Sequence, residues 1–177
     1  NGPFNMGDLV PAEALSNSSQ NQSPTLTATL RVAAPAWVHP REAMIYVNGK
    51  QVAQKTINST LNEPTDQTLE FSLERPPHDA YVVAFVLGDG ITLPGWTTYD
   101  KATQAITNPI FLDVDGDNKY SAPRATAKQL ISNYQKRGEK LTPALQKTLL
   151  ESEEVTADSA VLLHVKDMLK QRTDQQP

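Results

Sequence analysis

The chain has 177 residues, 38% hydrophobic and 20% charged, which fits one folded core plus an appendage and excludes disorder along the whole length. A net charge of −4, with no basic run interleaved with aromatics, argues against a nucleic-acid partner. The lack of cysteine excludes disulfides, thiol catalysis and cysteine-ligated zinc, and no apolar run approaches the ~20 residues of a membrane span.

Residues 1–22 read as a junction segment and flexible loop. Asn1-Gly2-Pro3 and Gly7-Asp8 are turn signals, and the stretch at 11–24 is rich in Ser, Asn, Gln and Pro. The chain starts at Asn1 with no visible signal peptide, so the expectation is a piece of a longer protein.

Residues 23–120 read as a β-sandwich domain. Thr25 to Val32 alternates polar with apolar, the period of a half-buried strand. Ala43-Met44-Ile45-Tyr46-Val47 leads into Asn48-Gly49, and Gln51 to Thr56 returns. Asn-Gly accepts the positive φ angles of a type I′ turn, so a hairpin is expected. Leu69, Phe71 and Leu73 face one side of a further strand, which Pro76-Pro77 ends. Ala80 to Leu87 is the most apolar run, closed by Gly88-Asp89-Gly90, and reads as a central strand buried on both faces. A loop is expected at 91–102. Ala105 to Val114 forms a last strand, interrupted at Asn108-Pro109.

Residues 121–172 switch to helical period. Ala127, Leu130, Ile131 and Tyr134 share one face, and Gly138 is a natural stop. Lys136, Arg137 and Lys140 read as cations favoured by that helix end. Thr142-Pro143 starts a second helix, and Thr156 or Asp158 caps a third. Three short helices make a small core, so docking on the sandwich or on a neighbour domain is expected. The fold class is mainly β: an antiparallel immunoglobulin-like β-sandwich followed by a small three-helix tail.

The sharpest chemical motif is Asp113-Val114-Asp115-Gly116-Asp117-Asn118. Asp113, Asp115 and Asp117 stand at positions 1, 3 and 5 of a tight loop, the spacing at which hard oxygen ligands gather around calcium. Asn118 stands where an EF-hand has glycine, and position 12 is Arg124 rather than glutamate, so a full EF-hand is excluded. Two readings stay open: an acidic turn with aspartates bonded to backbone N–H groups, or a structural calcium site. His39, His78 and His164 fall in no metal-ligand spacing. Asp8, Glu13, Asp66, Glu70 and Asp79 offer no reason to pair any two as acid and base. Trp37, Trp96 and Tyr99 would form the platform of a carbohydrate- or surface-binding module if exposed together.

Two stretches carry a family resemblance. Asn1-Gly2-Pro3-Phe4 with Gly7-Asp8 resembles the "NGPF…GD" stretch that closes the catalytic domain of PHP-type metal-dependent hydrolases of the CehA/McbA branch. Ala105 to Asp117 resembles the "TNPIFVDVDGDG" stretch that ends the sandwich domain of those proteins. Trp37, the Tyr46-Val47-Asn48-Gly49 hairpin and the strand from Asp79 have similar counterparts in the same order. The resemblance covers residues 1 to about 123 and leaves out the helical tail. It implies a non-catalytic C-terminal accessory domain whose partner is an upstream catalytic domain of the same polypeptide, in a periplasmic or secreted protein. It carries over no catalytic residue, and it leaves open a homo-oligomer or a partner for the tail.

Overall fold

The computed structural model describes residues 3–16, 25–91, 101–136 and 141–173. Within them the chain is mostly β, with eight strands in two sheets followed by four helices. The strands are β1 (Leu9–Val10), β2 (Thr25–Ala34), β3 (Pro40–Val47), β4 (Lys50–Thr56), β5 (Thr65–Glu74), β6 (Ala80–Asp89), β7 (Ala102–Ile106) and β8 (Ile110–Leu112). The helices are α1 (Pro123–Lys136), α2 (Pro143–Glu151), α3 (Glu153–Thr156) and α4 (Ser159–Thr173). Asn1-Gly2, most of both expected long loops including Trp96 and Tyr99, and Gly138 with Arg137 and Lys140 lie outside the described residues.

The larger sheet runs β1-β8-β6-β3-β4, and β7 lies beside β8 along the same edge of β6. The smaller sheet pairs β2 with β5. Asn48 and Gly49 take φ of 48° and 81°, which is the hairpin expected between β3 and β4. The interruption at Asn108-Pro109 splits one line of pairing into β7 and β8. Thr107 bridges the gap: its N–H donates to the Ala84 carbonyl and its Oγ1 accepts from the Ala84 N–H, both at 3.0 Å.

Leu69, Phe71 and Leu73 of β5 and Val32 of β2 pack on Ala43 and Ile45 of β3 and Ala84 of β6, so the two sheets share one core. Period-two alternation places these residues inward, and Glu70 and Ser72 outward. A second cluster, Val10, Leu15, Ala80 and Leu112, closes the end of the larger sheet.

Four expectations need correction. The larger sheet is mixed rather than antiparallel, because β1 pairs parallel with β8, Leu9 beside Phe111. β6 is central but not buried on both faces: Ala80 and Ala84 are buried, while Val83, Phe85 and Leu87 stay half-exposed. Gly88 does not close β6 but lies within it, because a Cβ there would collide with the His39 carbonyl. The tail has four helices, since the single turn α3 separates α2 from α4.

The helices make their own core. Ala127, Ile131, Leu149, Val155, Val161, Val165 and Leu169 form a cluster that draws no residue from the sheets. Thr142 caps α2, accepting from the Leu145 N–H at 3.3 Å, with Pro143 in the first turn. Asp158, not Thr156, caps α4 through the N–H groups of Ala160 and Val161.

Phe71 is 2% exposed and central to the shared core. Phe71→Ala should cost about 3–5 kcal/mol in chemical denaturation. A loss under ~1 kcal/mol would show that the sheets do not close on this ring.

Candidate metal centre

The acidic loop begins where β8 ends. Ala80 pairs with Leu112, so the residue before β6 and the residue after β8 are brought together. Those residues are Asp79 and Asp113, 3% and 1% exposed. Burying a carboxylate is costly unless it is hydrogen-bonded. Both are: Asp79 Oδ1 accepts from the Val114 N–H at 2.7 Å and Oδ2 from the Ser121 N–H at 2.8 Å. Asp113 Oδ1 accepts from the Gly116 N–H at 2.7 Å and Oδ2 from the Asn118 N–H at 2.9 Å.

The loop closes through two left-handed residues. Gly116 has φ of 79° and Asn118 of 60°. Asparagine tolerates that region, so it does the work of the EF-hand glycine here. Asp115 and Asp117 are exposed and accept from the Asp117 N–H at 3.2 Å and the Lys119 N–H at 2.9 Å.

Ligand oxygens of Asp79, Asp113, Asp115 and Asp117 lie within 4.8 Å of one another, so this cluster could hold a metal ion. Three of the four are the sequence motif. The fourth, Asp79, was invisible to spacing because it lies just ahead of another strand, β6, distant in the chain; the β6–β8 register is the signal that finds it. Arg124, at position 12, is exposed at the start of α1, so the fourth carboxylate of the cluster comes from Asp79 and not from that position. Each carboxylate oxygen has two lone pairs, so one backbone bond leaves capacity for an ion.

Desolvation and crowding both act on this cluster. The Asp115 carboxyl is held above its ordinary range, first by burial and then by the charges of Asp79, Asp117 and Asp113, partly offset by the Asp117 N–H. Tyr120 packs on Phe111 with ring centres 4.7 Å apart, and burial beside Tyr81, Asp79 and Asp158 pushes its hydroxyl up to about 12.

The remaining candidates disperse. His78 adjoins Asp79 in sequence, but its Nε2 faces the Glu154 carbonyl. His39 belongs to the connection into β3, where its carbonyl accepts from the Asp89 N–H, and His164 lies on α4. Asp66 forms an exposed ion pair with Arg31. Trp37 is 53% exposed. No protein-family model, no curated protein and no solved structure matches the chain.

A raised carboxyl pKa in the fold means that ionising Asp115 opposes folding. The penalty is absent below the ordinary carboxylate range and grows as pH rises through the raised value. Asp115→Asn should therefore raise the melting temperature in chelator at neutral pH and leave it unchanged in acid below that range. An equal effect at both pH values would rule out charge crowding.

Proposed function

We propose that this chain is a non-catalytic accessory domain of a PHP-like metal-dependent hydrolase. Its sheets form an immunoglobulin-like sandwich that packs on and supports the catalytic domain, and its acidic loop holds a structural calcium ion. The observation that carries this reading is the outer face of the larger sheet. Tyr46, Val83, Phe85, Leu87 and Phe111 are half-exposed on it, and Ile106 is 69% exposed beside Phe85. A contiguous apolar row of this kind marks an interaction surface, and contact between domains of one chain is a common way to cover it.

The N-terminal stretch supports the same reading. The two segments that resemble the hydrolase family lie side by side. Gly7 N–H donates to the Pro109 carbonyl at 2.8 Å, Phe111 N–H to Asp8 at 2.9 Å and Asp113 N–H to Val10 at 3.0 Å. A catalytic domain ahead of Phe4 would thus be tied into the sheet rather than tethered by a linker.

The direct test is the reading frame on the amino-terminal side of Asn1. It should encode a metal-binding catalytic domain, and a start codon immediately before Asn1 would overturn the proposal. Within such a polypeptide Ile106→Asp should weaken domain contact, while the stability of the chain described above should shift by no more than about 0.5 kcal/mol. Exposed Trp37 favours a second reading, a carbohydrate- or surface-binding module. Quenching of Trp37 fluorescence by polysaccharide, lost in Trp37→Ala, would decide for it.

Calcium binds oxygen ligands, and three carboxylates on a short loop with a fourth from the residue ahead of β6 suit it. At free calcium about a hundredfold above the dissociation constant, stability should rise by about 2.7 kcal/mol. The D115N/D117N variant, altered only at exposed positions, should fold and lose that response. Identical melting in calcium and in chelator would remove the ion from the proposal.

A further inference from the structure

The helices and the sheets have separate apolar cores with no residue in common. Among the described residues, three buried polar side chains stand where the helices meet the sheets: Asn48, Asp79 and Asp158, at 9%, 3% and 7% exposure. Asn48 lies at their centre. Its N–H donates to the Tyr81 carbonyl at 3.1 Å and its Oδ1 accepts from the Tyr81 N–H at 3.2 Å, which fixes the side chain against β6. Its Nδ2 is thereby aimed away from the sheet. It donates to Asp158 Oδ2 at 2.9 Å and to the Asp79 carbonyl at 3.3 Å. Asp158 completes the link, because its other oxygen, Oδ1, caps α4.

We propose that the Asn48–Asp158 pair is a latch that docks the helical unit on the sheets, and that α1 to α4 open from the sheets as one body when it parts. A hydrophobic interface would degrade gradually as it is pulled apart, since its attraction scales with area. A buried amide–carboxylate bond is directional and is either made or broken. Two cores joined this way form two cooperative units, the condition for sub-global opening. The second polar contact, from His78 to the Glu154 carbonyl, is at the more exposed side of the junction. Opening would bare a cleft that holds about 440 Å³ in the docked state, walled by Asn48, Leu73, Arg75, Pro77 and Asp158.

The test is hydrogen exchange on the full chain under native conditions. Asn48→Asp keeps the tolerance for positive φ and the acceptor for Tyr81, but sets a carboxylate against Asp158. Asp158→Asn keeps the cap through Oδ1 and sets two amide groups face to face. It leaves the hairpin untouched, so it carries the test alone should the first variant fail to fold. Each single change should speed exchange in α1 and α4 by roughly tenfold or more and leave β5 and β6 within about twofold. The exchanged pair N48D/D158N restores one donor and one acceptor and should recover most of the protection. Equal acceleration in helices and strands, no acceleration in either, or a double variant as open as the two singles combined would overturn the latch.

Discussion

Asp79 is the residue on which the three parts of this molecule converge. Its backbone carbonyl receives Asn48 from the β3–β4 hairpin, its Oδ1 receives the Val114 N–H of the acidic loop, and its Oδ2 receives the Ser121 N–H just ahead of α1. A carboxylate buried to 3% exposure is tolerable only with such partners. The same bonds set where the acidic loop stands relative to β6 and where the helical unit leaves the sheets. Side chains of the same length without charge could not hold both N–H groups as strongly, because bonds to an ionised acceptor are about twice as strong as neutral ones.

Upstream of that point the architecture follows from pairing. β6 is the spine of the larger sheet, with β3 on one edge and both β7 and β8 on the other. Only because β8 continues the line of β7 does the Asp113 loop reach the end of β6 where Asp79 sits. β1 then adds outside β8, and Gly7 and Asp8 just ahead of it are bonded to the same edge. At the opposite edge β4 is almost wholly exposed and carries Lys50 and Lys55, the kind of edge that discourages further strands.

What the sequence made legible was local. The Asn48-Gly49 turn, the alternation in β5 and the Thr142-Pro143 helix start each depend on a few neighbouring residues, and each is found where expected. What it hid depends on partners distant in the chain. β1 has two residues, too few for any period, and exists because β8 offers an edge. β6 is apolar on both faces, so its pattern cannot tell a face covered by β2 and β5 from one left half-exposed. Gly88 looked like punctuation because a close backbone approach and a turn use the same residue. The acidic motif stood out as three carboxylates of one loop, and the fourth carboxylate that lies beside them required knowing which strands are neighbours.

The acidic turn and the ion site, rivals on sequence grounds, are not alternatives in the geometry. The backbone N–H groups of Gly116 and Asn118 hold the two Asp113 oxygens, and those of Val114 and Ser121 hold Asp79, before any ion is considered. These bonds use one lone pair per oxygen and orient the rest. They also explain how the loop persists against its own charge: the buried pair is screened by four N–H dipoles, while Asp115 and Asp117 keep contact with water. The Asp115 carboxyl is held above its ordinary range first by desolvation and then by repulsion from Asp79, Asp117 and Asp113. A divalent cation would remove that repulsion without asking any carboxylate to turn away from its backbone partner. The turn and a site able to hold an ion are therefore one arrangement, and the bonds that stabilise the turn are those that would orient the carboxylates toward a cation.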